Sequence, residues 1–170
     1  TPTGTPDLDG DGVVDFVACF RSNGESLTTP AGERLRLEGA SWLGAVSGRD
    51  GHALWVQPLD APWGQYAASS SEATKWEPEA RPRFGRVNGR DTVLLVEKGN
   101  LRLHDAQDGQ PVGAPIDPGF PLTRVPEFAD LDGDGQPEAL VIRRRDPDDA
   151  NAPGETVFEL LVVDLPGGAV

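Results

Sequence analysis

The segment DLDGDGVVD, residues 7–15, places carboxylates at Asp7, Asp9, Asp11 and Asp15. The segment DLDGDGQPE, residues 130–138, repeats the pattern with Asp130, Asp132, Asp134 and Glu138. Carboxylates at this density repel one another unless they are protonated or a cation sits among them. Counted along each loop, positions 1, 3, 5 and 9 are acids, and position 7 offers a backbone carbonyl, from Val13 in the first loop and Gln136 in the second. Alternate side chains of a tight turn converge on one side. Hard oxygen donors at ~2.3 to 2.6 Å are what Ca²⁺ requires. Gly10 and Gly12, and Gly133 and Gly135, permit the sharp bend that turns those oxygens inward. The expectation is two Ca²⁺ sites whose ions serve structure rather than reaction.

Each loop runs into an apolar stretch, FVACF after the first and ALVI after the second, so the elements that position the acids are strands. Candidate strands span 13–20, 33–37, 42–47, 53–57, 83–87, 92–97, 101–104, 138–143 and 156–163, rich in Val, Leu, Phe and Trp and separated by Gly, Asp, Asn and Pro. One helical turn is expected in SSSEATKWEP, capped by Ser70 or Ser71 and stopped by Pro78. Gly and Pro together exceed a fifth of the 170 residues, against the roughly 12% usual for both, and they punctuate the apolar runs. This is the composition of an all-β chain with many turns.

A repeat emerges from the hairpins AVSGRDGHALW, RLHDAQDGQPV and LVVDLPGGAV, whose turn glycines, Gly51, Gly109 and Gly168, recur at nearly constant spacing. The opening strands repeat as well. FGRVNGRDTVLLV matches FADLDGDGQPEALVI, with Phe84 aligned on Phe128 and VLLV on ALVI. Arg86, Asn88 and Arg90 stand there in place of Asp130, Asp132 and Asp134. The strand therefore forms without the acids, and the acids have another purpose.

The residues beyond the DxDxDG opening separate the calcium motifs. An EF-hand or dockerin needs an acid at position 12 and a helix after the loop. Here position 12 is Ala18 or Val141, inside strand-like runs. A nine-residue loop entering a strand resembles instead the FG-GAP repeat of integrin-α-type β-propellers and its VCBS-like bacterial relatives, and the hairpins resemble those of quinoprotein-like propeller blades. The resemblance covers nearly the whole chain. It implies about three four-stranded antiparallel blades in a partial or open propeller, at 5–60, 81–118 and 124–170, with 61–80 as an inter-blade linker. Glu138 departs from the usual final Asp, the second blade has lost its loop, and the Phe-Gly pair is complete only at Phe84-Gly85.

With 28 acids against 15 Lys and Arg, a formal charge of −13 opposes binding to nucleic acid or anionic lipid. Eight of those acids lie in the two loops, so the acidity is concentrated where a cation would sit. No stretch approaches the ~20 apolar residues of a membrane span. Cys19 lies in an apolar strand and reads as a small buried hydrophobe. His52 and His104 flank hairpin turns, and Trp55 reads as packing between blades. Glu77 with Glu79, and Asp148 with Asp149, read as solvated loop acids, and RRRDPDDANAPGE as a mobile loop between strands. No catalytic constellation is present, and the quinoprotein likeness brings no cofactor with it, since neither a vicinal cysteine pair nor a quinone pocket is recognisable.

The chain starts at Thr and contains no Met, the expectation for a processed form, an excised domain or a fragment. Two function classes are consistent with these features. One is a calcium-stiffened module that recognises or scaffolds a protein or glycan partner in the periplasm, at the cell surface or outside the cell, where calcium is plentiful. The other is the non-catalytic portion of a larger secreted enzyme, a quinoprotein-like oxidoreductase or a polysaccharide-degrading enzyme. The end blades need cover, from further chain or from another subunit, because a propeller protects its faces by circular packing.

Overall fold

A computed structural model describes residues 3–20, 24, 26–29, 31–37, 41–59, 82–97, 100–118, 126–145 and 157–165. They form thirteen antiparallel strands and no helix. The expected helical turn, the linker at 61–80, Glu77, Glu79, Asp148, Asp149 and Gly168 lie outside the described residues. The strands are β1 (Thr3–Gly4), β2 (Phe16–Phe20), β3 (Ser26–Thr28), β4 (Arg34–Arg36), β5 (Trp42–Val46), β6 (Ala53–Pro58), β7 (Arg83–Val87), β8 (Arg90–Glu97), β9 (Asn100–Asp105), β10 (Pro111–Ile116), β11 (Glu127–Ala129), β12 (Glu138–Arg145) and β13 (Val157–Asp164).

They pair into a first sheet β1-β2-β5-β6, a second β7-β8-β9-β10, a third β11-β12-β13 and a small ribbon β3-β4. The first sheet thus begins at Thr3, ahead of the expected residue 5, and the third has three strands among the described residues. β2 begins at Phe16 rather than Val13, because Val13 to Asp15 still belong to the acidic loop. Four strands escape sequence reading. β1 and β11 are two and three residues long, and β3 is a short arm of the ribbon. β10 carries Pro111 and Pro115 and a register break between Val112 and Ile116, as an edge strand tolerates.

The three larger sheets share two apolar clusters. Val17, Cys19, Leu43, Ala45 and Trp55 of the first sheet meet Val93 and Leu95 of the second and Ala106 beside it. Val87, Leu94, Leu101, Leu103 and Ile116 of the second meet Ala139, Val141 and Val163 of the third, together with Leu165. Along β8 successive side chains point to opposite faces, so Val93 and Leu95 serve one cluster and Leu94 the other. The second sheet is therefore covered on both faces, which explains why β8 reads as an unbroken apolar run.

The first two of the three hairpins match bond for bond. Ser47 N–H donates to His52 O and Gly51 N–H to Ser47 O; Asp105 N–H donates to Gln110 O and Gly109 N–H to Asp105 O, all at 2.8–2.9 Å. Gly51 and Gly109 have φ of 75° and 73°, open to glycine at little cost. Gly109 is required twice over, since a Cβ there would collide with the Trp55 ring. Trp55 is buried against this hairpin, and its Nε1 donates to Ala106 O at 2.9 Å, the packing role expected of it.

Candidate metal centres

Each acidic loop joins the first two strands of its sheet, β1 to β2 and β11 to β12. Within the first, Asp7 Oδ1 accepts from Gly10 N–H at 2.6 Å and Oδ2 from Gly12 N–H at 2.7 Å. Asp9 Oδ1 accepts from Asp11 N–H, Asp11 Oδ1 from Val13 N–H and Asp15 Oδ2 from Leu8 N–H, at 3.0, 2.8 and 2.5 Å. The second loop repeats this set. Asp130 accepts from Gly133 and Gly135, Asp132 from Asp134, Asp134 from Gln136 and Glu138 from Leu131. Gly10, Gly12, Gly133 and Gly135 all have φ near 80°. The longer Glu138 thus reaches the same N–H as Asp15.

The carboxylates converge in both loops. Asp7, Asp9 and Asp15 offer oxygens that all lie within 4.8 Å of one another, and so do Asp130, Asp132 and Glu138. Asp15 and Glu138, at the foot of their strands, are buried. Positions 1, 3 and 9 thus form the close groups. Asp11 and Asp134, at position 5, are not in those groups and cap the amides of Val13 and Gln136. Asp11 also pairs with Arg49, whose Nε lies 3.1 Å from its Oδ2. The amides of Val13 and Gln136 are engaged as described, and the Gln136 side chain leaves the loop to accept from Asn88 N–H at 2.5 Å.

Backbone donors favour the charged form of Asp7. The Gly12 amide foremost, with those of Gly10 and Asp11, holds the Asp7 carboxyl below its ordinary value against the opposing effect of desolvation. Carboxylates whose oxygens lie within 4.8 Å of one another repel when ionised. Arg49 reaches Asp11 rather than these three. An all-oxygen donor set of this charge fits a hard divalent cation, and Ca²⁺ accepts the further carbonyl and water ligands that a loop supplies.

No family model, curated protein or solved structure matches the chain. The reading of the site rests on its own chemistry.

Sequence reasoning missed the residues that hold the loops from outside. Gly48 N–H donates to Asp15 Oδ1 at 2.9 Å, and a Cβ at Gly48 would collide with Val14 O, so the loop seats directly on the turn between β5 and β6. Arg49 from the same turn clasps Asp11 through both its carboxylate and its carbonyl. These partners lie 33 and 38 residues from the loop, and spacing carries no signal over that distance. Where the second sheet lacks acids, β7 and β8 close directly through Asn88 and Gly89, with φ of 51° and 71°, the two positive values a type I′ turn needs. Arg86 pairs with Asp91 there at 2.8 Å, and Arg90 with Asp105 at 3.5 Å.

Neither histidine approaches the loops' carboxylate groups. His52 pairs with Asp50 at 2.5 Å. His104 is buried, with Nδ1 on Gly109 O at 2.8 Å, and burial lowers its pKa. Burial pushes the Cys19 thiol up to about 12, leaving it an inert core group.

Proposed function

We propose that the chain is a calcium-binding β-propeller segment of the FG-GAP type, acting outside the cytoplasm as a recognition or scaffolding module for a protein or glycan partner. The observation that carries the reading is the twice-built cluster of three carboxylates, each with one member buried at the entrance to a strand. Asp7, Asp9 and Asp15 hold one Ca²⁺, and Asp130, Asp132 and Glu138 the other. Asp11 and Asp134 shape the bend, and the carbonyls of Val13 and Gln136 complete the donor set. The ion cancels the repulsion among the acids and ties the loop to the strand it enters. Modest calcium affinity suits the millimolar calcium of the periplasm or exterior. The stacking of three antiparallel sheets through two apolar clusters supports the blade reading.

The test is a calcium titration of chelator-treated protein followed by melting temperature. At free Ca²⁺ a hundredfold above Kd, each site adds about 2.7 kcal/mol, or roughly 5 to 10 °C for a chain of this length. Asp9→Ala and Asp132→Ala each remove one site's share. An unchanged melting temperature in millimolar calcium refutes the proposal.

A further inference from the structure

The two internal sheet interfaces obey one rule. In the aligned repeats Val17, Leu94 and Leu140 are equivalent, as are Cys19, Val96 and Ile142. The face carrying Val17 and Cys19 in the first sheet packs on the opposite face of the second, that of Val93 and Leu95. The same face of the second sheet, carrying Leu94 and Val96, packs on the opposite face of the third, that of Ala139 and Val141. Each sheet therefore lays its leading face on the trailing face of the next, twice in succession.

Among the described residues two faces are left over, and they are of opposite kinds. The leading face of the third sheet pairs Leu140 with Val162 and Ile142 with Leu160 across β12 and β13. Ile142 is 39%, Val162 42% and Leu160 65% exposed. The trailing face of the first sheet pairs Phe16 with Val46 and Phe20 with Trp42; Phe16 is 37% exposed and the other three are half-buried. Position 2 of the acidic loops shows the same contrast in cover. Leu8 packs against the cluster between the first and second sheets, whereas its equivalent, Leu131, stands 53% exposed beside the uncovered third sheet.

We infer that a second copy of this chain covers these faces head to tail, the leading face of one third sheet (Leu140, Ile142, Leu160, Val162) lying on the trailing face of the other copy's first sheet (Phe16, Phe20, Trp42, Val46). The occupant is set by the rule the chain already obeys twice, because the copy's first sheet presents the face that a third sheet's leading face requires. Such heterologous contacts close into rings when the rotation permits. Two copies of the three larger sheets among the described residues make six, within the four to eight blades typical of closed propellers, whereas three copies would exceed it. The ring count rests on the proposed propeller reading; the pairing of faces rests on the packing alone.

The test is sedimentation equilibrium of the 170-residue chain with calcium present, beside Phe16→Lys and Leu160→Glu. The wild type is expected at twice the 18.1 kDa of one chain, and each variant as a folded monomer by circular dichroism. Mixed together the two variants recover the dimer, since one native interface and one Lys–Glu interface then form. A monomeric wild type overturns the inference, whether its open faces bind an apolar dye or are covered by other parts of the chain. So does a Phe16→Lys variant that stays dimeric, because leading face would then meet leading face. If Leu160→Glu fails to fold, Val162→Glu replaces it. A calcium-dependent melting shift in a monomeric chain would leave the calcium proposal standing while refuting this one.

Discussion

In the loop at residues 7–15, the last carboxylate, Asp15, uses one oxygen on Leu8 N–H and the other on Gly48 N–H of the neighbouring turn. In the loop at 130–138, Glu138 Oε2 takes the equivalent Leu131 N–H, and no counterpart of the Gly48 bond exists among the described residues. Arg49 clasps the first loop from within its own sheet, while Gln136 ties the second to Asn88 of the adjacent sheet. The inner cradle is thus a property of the nine-residue sequence and tolerates Asp or Glu at its end. The outer anchoring belongs to the fold and differs between the two.

The largest expected difference lies in Asp15→Ala against Glu138→Ala. The first leaves the half-buried Leu8 and Gly48 amides without acceptors, and the second, among the described residues, only that of the exposed Leu131, at no more than about 1 to 3 kcal/mol each. Urea unfolding of the calcium-free protein, in which either substitution also relieves repulsion among the loop acids, should show Asp15→Ala as the less stable of the two. Equal losses would mean that the Gly48 bond contributes nothing.

Calcium should sharpen the contrast. A loop already clasped by Gly48 and Arg49 spends less of its binding energy on ordering, so the first site should fill first. Calorimetric titration of Asp132→Ala, which retains the first site, should give a lower Kd than that of Asp9→Ala. The reverse order would show that outer anchoring does not preorganise the cradle.

Gly48→Ala tests the seat alone. The added Cβ meets backbone, Val14 O, which cannot step aside as a flexible side chain would. A loss of about 1 to 3 kcal/mol is expected from such overpacking, with calcium affinity weakened at the first site and unchanged at the second. Weakening at both would place the effect in the sheet rather than in the loop.

Acid sensitivity has a source apart from the loops. The buried His104 has a pKa below 6.5, first through desolvation, against which the Gly109 carbonyl and Glu97 act to raise it. The unfolded chain then binds a proton that the folded chain resists, so stability is full above about pH 6.5 and falls as pH drops below it. His104→Leu should flatten that slope in urea unfolding measured across mildly acidic pH. An unchanged slope would assign the sensitivity elsewhere.

Much of this was legible in the sequence because it is local. DxDxDG with glycines at fixed offsets dictates the bend, and apolar runs between turn residues dictate β2, β5, β8 and β12. Gly51 and Gly109 announced a repeat that the hydrogen bonds reproduce. The hidden part is non-local. Asp11 and Asp134 are indistinguishable from the other acids by spacing, yet the close groups comprise positions 1, 3 and 9, and Asp11 meets Arg49 from a turn far along the chain. β10 was masked by two prolines that only an edge position tolerates.

The smallest effect probes the anchor that crosses between sheets. Gln136 Oε1 accepts from Asn88 N–H in an exposed position, where water competes for the amide, so Gln136→Ala should cost no more than about 1 kcal/mol. Its signature is local: Asn88 sits at positive φ in the turn that replaces the missing loop, and its amide should exchange with solvent faster once the acceptor is gone. Arg49→Ala, the matching cut at the first loop, should leave Asn88 exchange untouched because Arg49 holds its own sheet. If Gln136→Ala leaves Asn88 exchange unchanged, the second loop is held by its inner bonds alone, and the two sites differ in the Gly48 seat and the Arg49 clasp that only the first possesses among the described residues.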